Sequence, residues 1–402
     1  MRVSDLMATT NSAALAHSTG VPAKAGMIAF VAPMGAEQLA TLVAKLSGIF
    51  SAADLVIATP NDMSGSVPPS LRVISTQATN GVWPLAAADF LHAINVAKEN
   101  EARGVLMLGP GAESLSAEAL RDLASAVSAS TFDLAVPHYS LPPNAGLVNS
   151  AILYPLTRAL FGSQTRFPLS LDLAFSLRMA ERLAGSAQRF VNSNQSDAII
   201  WPVSEAAVAG LSVEEIDVGT RVLPQPAEPN INAILSLVTG SLFADIEAKA
   251  AFWQRPRRLP PEHRSFQSIQ GIEGDFDIVP MVEGFRLAFS HLQEIWSLVL
   301  APNSLLGLKR LSVVDPSAFR MAENLWARIV FDFLVAYRLR TINRGHLLGA
   351  LIPLYLAWVA GHINVIKSGS SSEAHVEAVA AAFEADKQYI VSRWRWPDRF
   401  NS

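Results

Sequence analysis

The chain has 402 residues, enough for two or more domains; half are hydrophobic and only 16% are charged, which favours large buried cores over disorder. A net charge of −4 supplies no field to gather nucleic acid, so that class of partner is set aside. The lack of cysteine excludes disulfides, thiolate metal sites and a cysteine nucleophile, and it fits a reducing compartment such as the cytoplasm.

Residues 1–25, rich in Ala, Ser and Thr, carry one Arg and a broken apolar run, and read as a flexible leader rather than a signal peptide. From there short apolar runs alternate with helical patterns. MIAFVAP (27–33) predicts a buried strand, 35–50 a helix, ADLVIATP (53–60) a second strand and LRVISTQ (71–77) a third. A helix over 84–102 precedes a fourth strand, GVLMLGP (104–110), and a helix over 116–130, N-capped by Ser116, precedes a fifth, FDLAVPHYS (132–140). The alternation predicts an α/β unit with a mostly parallel sheet covered on both faces, whose ligands bind at the carboxyl ends of the strands. None of the loops there is a glycine-rich phosphate loop; backbone amides near Gly35 and Gly109–Gly111 are weak phosphate candidates.

The pattern stays mixed over 149–225, and three prolines in 224–230 then break it. Helices are predicted at 231–253, 280–300, 317–341, 345–366 and 373–393, with a linker at 254–277. The expected organisation is a leader, an α/β domain over 26–225 and a helical domain over 226–402. Residues 347–366 hold no charged residue and are long enough to span a bilayer, but Pro353, His362, Asn364 and the flanking amphipathic helices favour a buried core helix. The apolar residues Trp326, Phe331, Phe333 and Trp358 suit either a core or a homo-oligomer interface.

Four stretches carry a resemblance. PHYSLPPNAGLVNSAILYPLTRALFGSQTRFPLSLDLAFS (137–176), IIWPVSEAAVAGLSVEEIDVGTRV (199–222), ALIPLYLAWVAGH (350–362) and FEADKQYIVSRW (383–394) resemble, in order, segments of the family 2-type glycosyltransferases of GT-A fold. The bacterial branch similar to mannosylglycerate and glucosylglycerate synthases is the nearest group. The resemblance implies a Rossmann-like nucleotide-sugar domain, an acceptor pocket against a helical domain, and transfer of a sugar to a small acceptor such as glycerate. It also implies a Mg²⁺ or Mn²⁺ ion, because a hard cation held by carboxylates stabilises the departing diphosphate.

Against that pattern the chain departs where the chemistry sits. The family's Asp-x-Asp turn corresponds to Gly109, Pro110 and Gly111, which offer no ligating side chain, with Glu113 the one carboxylate nearby. The acid before the next helix corresponds to Ile199, the metal-binding His to Leu223, the basic residue after strand three to Trp83, and a Gly-Gly pair to Ser170-Leu171. No metal ligand is assigned.

The remaining candidates each have two readings. Asp172, walled by Leu169, Leu171 and Leu173, is a general base or sugar-hydroxyl ligand, or else the N-cap of a helix over 173–184. Arg221 holds a diphosphate by bidentate hydrogen bonds, or is an exposed strand residue. On the donor side stand Pro33, Glu37, Asn61, Asp62, Gly109, Gly111 and Glu113 as well; Glu37 equally suits a first helical turn, and Asn61-Asp62 a plain turn. His138 and Tyr139 are acceptor-side candidates, with a packed strand-end histidine as the alternative.

Two functions follow. One is a working, metal-independent transferase whose open polar pocket at the ends of strands one, two and four is faced by Asp172. The other is a glycosyltransferase fold kept for binding or scaffolding, with that pocket filled by Trp83, Leu171 or Pro110.

Overall fold

The computed structural model describes residues 26–61, 70–79, 83–223, 230–255 and 276–397. The leader 1–25, Asp62 and most of the 254–277 linker lie outside the described residues.

Among the described residues seven strands form one sheet: β1 (Met27–Val31), β2 (Leu55–Thr59), β3 (Arg72–Ser75), β4 (Gly104–Leu108), β5 (Leu134–Ser140), β6 (Asp172–Ser176) and β7 (Val213–Thr220). Their order is β3-β2-β1-β4-β6-β5-β7; all neighbours are parallel except β6, which runs antiparallel to both β4 and β5. Strands β1, β2 and β4 are buried at every position, which is why they read as unbroken apolar runs. The pleat splits β1 between two cores. Met27, Ala29 and Val31 pack on the helices Ala36–Ile49 and Ala117–Ser128, whereas Ile28 and Phe30 pack on Ala87–Glu99 and Leu177–Asn192. Ser116 caps its helix as expected, its Oγ accepting from the Ala119 amide.

One expectation is corrected. Residues 172–176 are strand, not the cap and first turn of a helix over 173–184; the helix runs Leu177–Asn192 and its cap is Ser176. The reason is alternation: Leu173 and Phe175 fill one core while Ala174 fills the other, a period of two that a three-residue apolar run does not separate from a helical one. β6 then lies between β4 and β5, with Asp172 opposite Leu108.

Beyond β7 the described elements are helical. The expected helix over 280–300 is two, Val279–His291 and Gln293–Val299, and a further helix, Pro302–Leu311, starts on a proline at its first turn. The expected 317–341 helix begins only at Glu323, after a short turn at Pro316–Ala318. The core here holds Trp253, Trp296, Trp326 and Trp358, all essentially unexposed, and it also takes in Ala151–Phe161 from before β6. Trp326, Phe331, Phe333 and Trp358 are thus core residues and not a docking face. One described helix, Arg344–Lys367, is long and apolar enough to cross a membrane, and 67% of its apolar window is buried inside the molecule.

Two buried tryptophans donate to helix carbonyls near prolines. Pro155 has no N–H to give the carbonyl of Ala151, and the Trp326 indole donates to it at 2.8 Å. The Trp296 indole donates to the Ala350 carbonyl at 3.0 Å, next to Gly349, the residue whose carbonyl Pro353 leaves without an amide.

Candidate site at the strand ends

The loop after β4 is Gly109-Pro110-Gly111, and both glycines are there for contact. A Cβ on Gly109 would meet the Leu171 carbonyl oxygen at 2.6 Å. Gly111 has φ +86°, and a Cβ on it would collide with the Arg221 guanidinium. The loop is packed onto whatever lies behind it.

Behind it is a closed ion pair. Arg221, at the end of β7, donates from Nε to Asp172 Oδ2 at 2.8 Å and from Nη2 to Oδ1 at 3.3 Å. Its other donors bond backbone: Nη2 to the Pro110 carbonyl at 2.8 Å and Nη1 to that of Val222 at 2.6 Å. Asp172 accepts as well from the Gly109 amide at 3.1 Å and the Tyr139 hydroxyl at 3.0 Å. Both side chains of the pair have no exposed surface at all. Burial opposes the Arg221 charge, but the Asp172 carboxylate outweighs it and holds the guanidinium above its ordinary range. Tyr139 is pushed well above the usual phenol range, first by burial and then by Asp172. Arg221 is therefore no exposed strand residue.

A divalent cation does not fit these residues. Gly109, Pro110 and Gly111 bring no side-chain oxygen, and both Asp172 oxygens are occupied. Glu113 spends one oxygen on the Gln38 amide at 3.0 Å and is alone. Ile199 is in the helical core, and Leu223 faces an apolar cavity. Among the described residues no three His, Asp or Glu side chains come together as a metal site.

The other expected residues are dispersed. Pro33 is exposed, and Glu37 stands exposed in the first turn of its helix. Asn61 is a tie between loops: its Nδ2 donates to the Met34 carbonyl at 2.6 Å, and its Oδ1 accepts from the Met34 amide at 3.3 Å. His138 is buried, its Nδ1 3.4 Å from Glu215 and its ring edge-on to Phe167. His138 and Tyr139 do share one small pocket, with Arg166 and Glu373.

A cavity of about 400 Å³ opens in front of the ion pair, between the strand ends and the helical part. Trp83, Leu171 and Leu223 line it from the sheet side, and Ile234, Leu356 and Val359 from the helices. Trp83, Leu171 and Leu223 are three of the positions where the chain departs from the glycosyltransferase pattern. Sequence reasoning missed Asn149 and Tyr355, which also line it. Asn149 sits in a π-helical turn, a feature frequent at functional sites, and that turn leaves no periodicity to read.

No protein-family model and no curated protein matches the sequence. Solved structures similar to the chain include the glucosyl-3-phosphoglycerate synthase of Mycobacterium tuberculosis in complex with phosphoglyceric acid, at 11% identity and TM-score 0.36, covering 56% of this chain and 79% of that one. The same enzyme with Mn²⁺, UDP and glucosyl-3-phosphoglycerate matches at 12% identity and TM-score 0.37, covering 56% and 79%. A structure described as that of a mycobacterial protein matches at 11% identity and TM-score 0.36, covering 56% and 75%. At such similarity these likenesses carry no statement about the chemistry of this chain.

Proposed function

We propose that this chain is a glycosyltransferase-type protein that binds a small molecule at its strand ends and does not perform metal-assisted sugar transfer. The observation that carries this reading is the sealed Asp172–Arg221 pair. A general base must reach its substrate, and a diphosphate ligand must present free donors. Asp172 and Arg221 have spent their groups on each other, on Tyr139 and on the 109–111 loop. On this reading Asp172 is structural, and the division expected near residue 225 leaves the ligand between an α/β wall and a helical wall.

Nucleoside diphosphates and nucleotide sugars are the first ligands to try, because the sequence resemblance names that class. The full chain would be melted with UDP, GDP and their sugars, each with EDTA and with Mg²⁺ or Mn²⁺. A ligand that binds only the folded state raises the melting temperature. No metal-dependent shift is expected. A shift that needs Mn²⁺ and vanishes with EDTA, or sugar transfer to a glycerate acceptor, would overturn the reading. A shift indifferent to metal would make the protein a sugar-nucleotide binder.

A further inference from the structure

We propose that the cavity between the strand ends and the helical part takes a small ligand with an aliphatic body and a hydroxyl head. Its volume, about 400 Å³, lies in the range of small-molecule sites, roughly 300–1,000 Å³. Among the described residues, no Lys, Arg, His, Asp or Glu side chain lines it. An anionic or cationic head would therefore lose its water without gaining a counter-charge, which sets sugar phosphates and fatty acids at a disadvantage.

Two lining side chains select the head. Asn149 is 8% exposed, and its Nδ2 donates to the Arg166 carbonyl at 2.6 Å, which fixes the amide orientation. Its Oδ1 is buried with no partner among the described residues. An unmatched buried acceptor costs free energy that a donor from a ligand would recover. Tyr355 is 3% exposed, and its hydroxyl makes no hydrogen bond with the described residues; burial alone raises its pKa, so it is a neutral phenol. A hydroxyl can donate to the first and accept from the second, whereas an ether cannot donate and a carboxylate can do no more than accept. The inference refines the binding reading above and fails separately from it. Metal-dependent nucleotide-sugar binding would sink that reading whatever the cavity holds.

The test is displacement of the fluorescent probe 1-aminoanthracene from the full chain by 1-decanol, with decyl methyl ether and decanoate as comparisons. Decanol should displace the probe at one site per chain and raise the melting temperature in a saturable way. It should bind several-fold more tightly than the ether and at least tenfold more tightly than decanoate. Asn149→Leu should remove the preference over the ether. Leu223→Trp, in a half-buried loop, and Leu356→Trp, on a helix face, each fill the cavity, and each should weaken decanol at least tenfold while keeping the parent circular dichroism. The proposal is overturned if decanol neither displaces the probe nor shifts melting. It is equally overturned if decanoate binds as well as decanol, or if a folded filled variant binds decanol as the parent does.

Discussion

With no exposed surface on either side chain, Asp172 and Arg221 can be removed together far more cheaply than one at a time. Asp172→Asn leaves a buried guanidinium without its counter-charge and is expected to cost about 3–5 kcal/mol in urea unfolding. Arg221→Met strands the carboxylate and should cost a similar amount. The double variant Asp172→Leu/Arg221→Met should lose much less than the sum, a coupling of about 3 kcal/mol by double-mutant cycle. Additive losses would mean that the two side chains do not depend on each other as the geometry has them. The same packing forbids a simple repair of the missing acidic turn. Gly109→Asp drives a Cβ into the Leu171 carbonyl, and Gly111→Asp combines a collision with Arg221 and a left-handed backbone. Each should destabilise by about 3 kcal/mol and bring no Mn²⁺ binding, as read by calorimetric titration. Metal uptake by either variant would show that a latent site had survived.

At the scale of elements, the buried strands β1, β2 and β4 were legible because full burial writes itself as an apolar run. β6 was not legible. Its three apolar residues, Leu173, Ala174 and Phe175, alternate between two cores, and only the flanking strands decide between strand and helix. Arg221 finds Asp172 across 49 residues through the order of β6, β5 and β7, so no local spacing announces the pair. A second buried pair was equally hidden. His362, on Arg344–Lys367, and His375, on Ser372–Ala385, face each other with Nδ1 atoms 2.7 Å apart, stacked beside Trp358. Burial, and then the neighbouring His375, lowers the His362 pKa from 6.5 to about 3; His375 is lowered as well, with Glu323 partly opposing. These folded-state values lie below the unfolded value, so the unfolded chain takes up protons that the folded chain refuses. The stabilisation is complete above about pH 6.5 and is lost as pH falls toward 3. At pH 5 the His362 share of the loss is about 2 kcal/mol. Urea midpoints at pH 7.5 and 5.0 should fall further apart in the parent than in His362→Phe. Equal falls would remove His362 from the account.

For the whole molecule, the helical core does not stop where the α/β pattern stops. Ile152, Leu156 and Leu160 from before β6 pack within it, and the Trp326 indole holds the Ala151 carbonyl. Charged contacts run the same way: Arg158 reaches Glu377 at 2.5 Å and Glu384 at 3.0 Å, and Arg166 reaches Glu373 at 3.2 Å. A surface ion pair adds little, but Arg166 is 4% exposed and Arg158 has three carboxylate contacts, so these contacts lock orientation as the tryptophan supplies burial. A segment that precedes β6 in the chain yet packs in the helical core, with Ile199 and Trp201 in that core beside Ile200 and Val203 in the sheet's, couples their unfolding. We therefore expect one cooperative transition. Amides of β1 and β4 and amides of the helix Glu323–Leu339 should reach the same limiting opening free energy in native-state hydrogen exchange. Trp326→Ala should lower both by the same amount, about 3–5 kcal/mol, although Trp326 touches none of the sheet's central strands in sequence or in core. If only the helical amides were weakened, the 151–161 segment would belong to the helical part alone, and the cavity would lie between two bodies free to separate rather than inside one.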